Sequence, residues 1–159
     1  QLSPSATGRI NRYLATGGTI LFDLRDISSS SANSAILRQL TKDIAIPPLT
    51  PVPPDHVLTK AFYLMQDFPG RWAGGQVWVE RSGDHVNDGV SSIVVGGNDW
   101  ASAWATDQTG QPMFAVVPGG ARQREMAYRF GINLVMYTLT GNYKSDQVHV
   151  PSILERLGN

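Results

Sequence analysis

Apolar residues change rhythm several times along this chain, and each change marks an element. Ser3-Pro4 is a helix start, since serine can accept from the free N–H groups of a first turn and proline fits the first helical position. Ile10, Tyr13 and Leu14 fall on one face and Gly17-Gly18 supplies a left-handed stop, which predicts a helix over about residues 4–16. Residues 19–24 follow as a nearly continuous apolar run, the pattern of a strand covered on both faces. Asn33-Ser34 cap a short helix through Ile36, Leu37 and Leu40. Five of the eight positions in 47–54 are proline, which predicts a stiff, extended connector unable to donate to a sheet. The roughly 55 residues before it are too few to hold a core alone, so it lies inside one domain spanning 1–159.

Four short strands are expected in the middle of the chain, at 62–65, 76–80, 91–95 and 113–117. Val77 and Val79 alternate with Gln76, Trp78 and Glu80, as in a half-buried strand. Ile93-Val94-Val95 before Gly96-Gly97 reads as a central strand ending in a tight turn. Residues 100–105 admit two readings: a helix stacking Trp100 on Trp104, or a strand forming a hairpin with 113–116. The longest helix is predicted over 121–140, with Met126, Phe130, Leu134 and Tyr137 on its buried face. From Phe130 onward it is apolar on most sides and is expected to be packed against the sheet, with Gly141-Asn142 as its stop. An amphipathic segment, 152–157, ends a tail covering 142–159.

Helix, buried strand, helix, short strands and a final buried helix describe an α/β domain on a mostly parallel sheet. Such domains begin with a strand, whereas this one begins with a helix leading into what reads as an interior strand. The chain is therefore expected to be a fragment whose first strand lies upstream.

Composition then narrows the chemistry. Thirteen basic residues balance thirteen acidic ones, so no long-range field draws in nucleic acid or an anionic membrane. Cysteine is absent, which excludes disulfides, thiolate metal sites and a thiol nucleophile from this chain. No window approaches the roughly 18 consecutive apolar residues of a membrane span.

Ligands of open α/β sheets lie beyond the carboxyl ends of the strands. Asp23, Arg25 and Asp26 follow the first strand, and Gly96, Gly97, Asn98, Asp99 and Trp100 follow the central one. Two carboxylates near an amide suit acid–base or metal chemistry; turns and Asp–Arg pairs are the favoured reading of the same residues. Arg122 and Arg124 stand after Gly119-Gly120 at a helix start, where cations oppose the helix dipole and an anion would account for them. The lysine and spacing of a phosphate-binding loop are missing, and Glu125 can instead pair with Arg129 and Arg122. The 83–89 loop holds oxygen and imidazole ligands without the spacing of a calcium loop, and His56, His85 and His149 are too far apart for a local metal pair. No metal or cofactor is therefore assigned. Trp72 is the best candidate for an exposed tryptophan, and with Trp78 it would suit a sugar.

Five runs resemble a bacterial family of domains of unknown function: Gly17-Gly18-Thr19-Ile20-Leu21-Phe22-Asp23, Pro54-Asp55-His56-Val57-Leu58, Phe68-Pro69-Gly70-Arg71-Trp72, Gly96-Gly97-Asn98-Asp99-Trp100 and Arg129-Phe130-Gly131-Ile132-Asn133-Leu134-Val135-Met136-Tyr137. That family is found at the C-terminus of alphaproteobacterial membrane proteins with a BatA-like double-transmembrane N-terminal region. The resemblance implies a three-layer, flavodoxin-like fold of the class I glutamine-amidotransferase type, its first strand upstream of Gln1. It also implies a setting beside MoxR-type ATPases and von Willebrand factor A-like proteins. True amidotransferases need a cysteine on a strand-to-helix elbow, and this chain has none, so no catalytic residue carries over.

The expectation is thus a non-catalytic, amidotransferase-like binding or protein-interaction domain, tethered to a membrane through a missing N-terminal region, with protein partners and no cofactor. The alternative is a metal-assisted hydrolase or small-ligand domain, including a carbohydrate binder, using Asp23, Arg25, Asn98, Asp99, Trp100 and Arg122.

Overall fold

The computed structural model describes residues 2–25, 35–81 and 90–141. Asp26, the Asn33-Ser34 cap, the 83–89 loop with His85, and the 142–159 tail with Asn142, His149 and the 152–157 segment lie outside the described residues.

Helix α1 spans Pro4–Ala15, and the Ser3 side chain accepts from the Ala6 N–H, as the sequence pattern predicts. Gly17, at φ +97°, turns the chain into strand β1, Ile20–Asp23. Helix α2, Ala35–Thr41, leads to β2, Leu49–Pro51. Strands β3, Val77–Glu80, and β4, Ile93–Gly96, precede α3, Trp100–Trp104, and α4, Ala121–Thr140. The α4 bounds are those the periodicity predicts.

The strands form an open sheet in the order β1-β4-β3-β2. β1 and β4 are parallel, while β4 with β3 and β3 with β2 are antiparallel. The sheet is therefore mixed, not mostly parallel. Between β2 and β3 the chain carries only a 3₁₀ turn, Val57–Thr59, so it returns beside itself instead of crossing over on a long helix. Among the described residues β1 is an edge strand, although its pattern reads as interior. Leu21 packs on one face and Ile20 and Phe22 on the other, and apolar coverage of two faces says nothing about neighbours in the sheet plane.

The proline-rich stretch is more than a connector, because it contains β2. Leu49 pairs with Glu80 and Thr50 with Val79, and the Val52 N–H donates to Val77 at 2.9 Å. Proline fits here because an edge strand needs donors on one side only. The strands expected at 62–65 and 113–117 do not form. The N–H groups of Phe62 and Tyr63 are taken by the Asn133 side chain, and Met113 and Val117 donate to Ala105 and Arg71 across loops. Residues 100–105 resolve toward the helix, with a small loop closed by a Thr106–Pro112 bridge after it.

Helices cover both faces. α3 and α4 enclose Leu58, Val77, Val79, Val94, Trp100, Phe130 and Tyr137, while α1 and α2 enclose Leu14, Leu37, Ile93 and Val95. Gly131 lets Trp104 lie against α4, where its indole N–H donates to the Ala127 carbonyl at 2.8 Å. The second half of α4 is less buried than its composition predicts, since Ile132, Val135 and Leu139 are exposed.

Candidate functional site

The parallel register sets Asp23 opposite Gly96, so the two strand-end segments singled out by sequence meet at one place. β4 is apolar and fully buried; beyond it Gly97 and Asn98 turn the chain into α3. Gly96 is required there, because a Cβ would fall 2.2 Å from the Trp100 ring. Asp99 holds the left-handed conformation (φ 53°, ψ 55°), which aspartate tolerates better than most residues. It occupies the N-cap position of α3 but makes no side-chain capping bond.

Asp23 supplies that cap from across the sheet. Its two carboxylate oxygens accept from the N–H groups of Trp100 at 3.0 Å and Ala101 at 2.7 Å. Burial pushes the Asp23 carboxyl above its ordinary value, the two N–H donors pull it down, and the charge of Asp99 adds to the rise.

The freed Asp99 carboxylate turns inward. Oδ1 accepts from Ser102 Oγ at 2.7 Å and lies 4.0 Å from Arg25, whose side chain is largely exposed. Oδ2 is 3.5 Å from Arg71, an ion pair too long to count as a hydrogen bond. Arg71 is held between the rings of Trp72 and Phe114, 4.8 and 5.4 Å from their centroids. Asn98 is fully buried and donates to the carbonyls of Phe68 and Gly75 at 2.9 and 3.2 Å. Its Oδ1 would be only 1.8 Å from a Cβ at position 75, so glycine is needed at Gly75.

Trp100 belongs to the core rather than to an open site. Its ring is fully buried, stacks on Phe130 at 4.2 Å and donates to the Phe68 carbonyl at 3.0 Å. Arg122 stands exposed in the first turn of α4, outside the Asp23–Asp99 cluster, while Arg129 pairs with Glu125. Trp72 and Trp78 are both half-buried, and Trp78 packs with the α1-side core. Among the described residues no group of three or more His, Cys, Asp or Glu side chains is placed to hold a metal ion.

Residues 1–139 match the family described as a domain of unknown function, DUF4159. The chain belongs to that family. A comparison with curated proteins found no match.

Two residues central to this DUF4159 site escape sequence reasoning. Arg71 carries no spacing signal; only its place in the aromatic run 68–72 hints at stacking. Gln123 binds the carbonyls of Gly70, Arg71 and Val117 at 2.9–3.1 Å and accepts from Gly119, which ties α4 to the loop presenting Arg71. A glutamine in the first turn of a helix reads as solvated surface, so its pattern points the wrong way.

Proposed function

We propose that this domain is a non-catalytic binding or protein-interaction module with a flavodoxin-like, class I amidotransferase-like ancestry. In the longer protein it is tethered to a bacterial membrane and works beside a MoxR-type ATPase and von Willebrand factor A-like proteins. The observation that carries the reading is the internal use of the strand-end groups. Both Asp23 oxygens are spent on capping α3, Asp99 Oδ1 on Ser102 and the Asn98 amide nitrogen on two loop carbonyls, while Asp99 Oδ2, 3.5 Å from Arg71, and Asn98 Oδ1 are buried without a hydrogen bond. A carboxylate that must act as base or metal ligand needs a free oxygen facing substrate, whereas three of these four oxygens are taken and the fourth, Asp99 Oδ2, is buried beside Arg71.

The test is co-purification of the tagged full-length protein from detergent-solubilised membranes with a co-expressed von Willebrand factor A-like protein and a MoxR-type ATPase. Retention of either one, undiminished by Asp99→Asn, is the expected result. Loss of both, with thermal stabilisation by a divalent metal or a sugar that Asp99→Asn abolishes, would overturn the reading in favour of a ligand-binding site.

A further inference from the structure

The segment 112–118 reads Pro-Met-Phe-Ala-Val-Val-Pro, a run without one polar side chain. Only Val116 turns inward; Pro112, Met113, Phe114, Ala115, Val117 and Pro118 are exposed, Met113 by 58% and Val117 by 46%. Consecutive apolar residues at a surface are unfavourable in water unless something covers them. The segment is also fixed in shape. Val117 forms a bridge with Trp72; its N–H donates to the Arg71 carbonyl at 2.7 Å and its carbonyl accepts from Ala73 at 3.1 Å. Arg124 donates to the Phe114 carbonyl. Asp107 closes the preceding turn, accepting from the N–H groups of Thr109 and Gln111 at 2.8 and 2.9 Å. An apolar strip held this way is ordered before a partner arrives, which lowers the cost of binding.

The strip borders a strand end where cations outnumber anions. The Arg71 guanidinium lies beside the Phe114 ring and 3.5 Å from Asp99 Oδ2. That contact is Coulombic only, because Oδ2 accepts no hydrogen bond and Arg71 Nε has no acceptor. Arg25 lies 4.0 Å from Asp99 Oδ1, which Ser102 already engages, and its side chain is 85% exposed. Two guanidinium groups thus share one carboxylate, while Asp23 is occupied by the first turn of α3. Residues 68–75 and 110–124 contain no acidic residue and no lysine, and they add Arg122 and Arg124. Trp72 and Phe114 hold Arg71 between them, so its planar fork is set for a carboxylate. Surplus positive charge beside an apolar strip is complementary to a negative group with apolar flanks. A free phosphate or small carboxylate would meet the arginines and leave 112–118 uncovered. A peptide with an acidic side chain among apolar ones covers both. Arg, Trp, Phe and Met are also the residue types enriched where proteins meet, and Lys, Glu and Asp the depleted ones.

We propose that the rim formed by 112–118, Trp72, Arg71 and Arg25 is a docking surface whose partner is a protein segment carrying an aspartate or glutamate flanked by apolar residues. The acid pairs with Arg71 and Arg25, and its flanks lie on Met113, Phe114 and Val117. This rests on the reading of the domain as a protein-interaction module and adds the chemistry of the partner.

The test selects short random displayed peptides on the detergent-solubilised full-length protein and titrates the resynthesised peptides by fluorescence anisotropy. The expected peptides join Asp or Glu to apolar residues. Their binding should weaken about tenfold or more with Arg71→Gln or Arg25→Glu and about threefold with Met113→Ser. Arg38→Glu, on the α2 side of the sheet, should leave it unchanged. Arg25 and Met113 are exposed, so these two variants decide the matter even if Arg71→Gln fails to fold. Peptides without an acid, binding indifferent to Arg25→Glu and Met113→Ser, equal weakening by Arg38→Glu, or no selected peptide overturns the proposal. Displacement of the peptide by inorganic phosphate or by phosphatidylglycerol vesicles at the peptide's own concentration also overturns it. Co-purification with the von Willebrand factor A-like protein and the MoxR-type ATPase separates this surface from the reading it rests on. Partners retained in full by Arg25→Glu and Met113→Ser overturn the surface and leave the module. Partners not retained by the unsubstituted protein, with acidic peptides still bound at the rim, overturn the named setting and leave the surface.

Discussion

Replacing Asp23 by alanine removes the cap of α3 while leaving the Asp99–Arg71 pair in place. Two backbone N–H groups, those of Trp100 and Ala101, lose their acceptor. Hydrogen bonds to a charged group are each worth about 1.5–3 kcal/mol net, but the burial that raises the Asp23 carboxyl works against its charged form. The strand end is also partly open, so the loss falls at or below the smallest sum of two such bonds and near the upper end of what a lost cap costs, about 2–3 kcal/mol. For a chain of this size that is a fall in Tm of roughly 4–12 °C. Urea unfolding followed by tryptophan fluorescence measures it, with buried Trp100 immediately past the cap as reporter. The pH dependence has a definite sign. Because the folded carboxyl titrates above its ordinary value, the native state binds the proton more tightly than the unfolded chain. The stability Asp23 contributes is therefore fully present below the unfolded value and declines as pH rises through the folded one. The cost of Asp23→Ala should accordingly shrink over the interval in which pH rises from below the ordinary aspartate value through the raised folded one. A loss below about 0.5 kcal/mol, within the range of an indifferent surface change, or a loss that grows over this interval, would refute the capping role.

Asn133→Leu should cost about 4 kcal/mol, because it strands four backbone groups at about 1 kcal/mol or more each: the N–H groups of Phe62 and Tyr63 and the carbonyls of Leu58 and Tyr63. Urea unfolding checks it, and a loss under about 1.5 kcal/mol would mean that those groups find other partners. Tyr137→Phe should cost about 1–3 kcal/mol, since the hydroxyl accepts from the buried Ser91 N–H at 2.6 Å. Burial pushes the Tyr137 phenol up from 10.0 to about 12, so the stability it brings is lost as pH rises through that interval. Alkaline unfolding of the Phe variant should therefore be shallower there, and an unchanged slope would count against a buried neutral phenol.

What could be read from the sequence depended on how local its cause was. α4 was legible to the residue because Met126, Phe130, Leu134 and Tyr137 repeat at helical spacing between Gly120 and Gly141, and these features act within a few turns. The start of α1 at Ser3-Pro4 was legible for the same reason. Strand partners were not, because period-two alternation in β3 says which side chains are buried but not which strand lies alongside or in which direction. β2 was hidden by its prolines, whose signal against strand is overridden at an edge. In the candidate site, Asp23 and Asp99 were found as a pair, since both end apolar runs. Their roles were not legible, because the cap joins residues 77 and 78 positions apart and depends on the β1–β4 register. Asn133 reads from sequence as one polar position on an apolar helix, and only the fold reveals that it takes the place of a sheet ladder for residues 62–63.

The distant cap on α3 also fixes an order of events in folding. A five-residue helix is far below the length that persists by itself in water. Its first-turn N–H groups reach Asp23 only once β1 and β4, some seventy residues apart, have paired. Contacts of such separation close late, because chain entropy must be overcome before they contribute. The cap is therefore assembled together with the sheet centre, and in a chain that has not yet joined β1 to β4 the first turn of α3 stands without its acceptor.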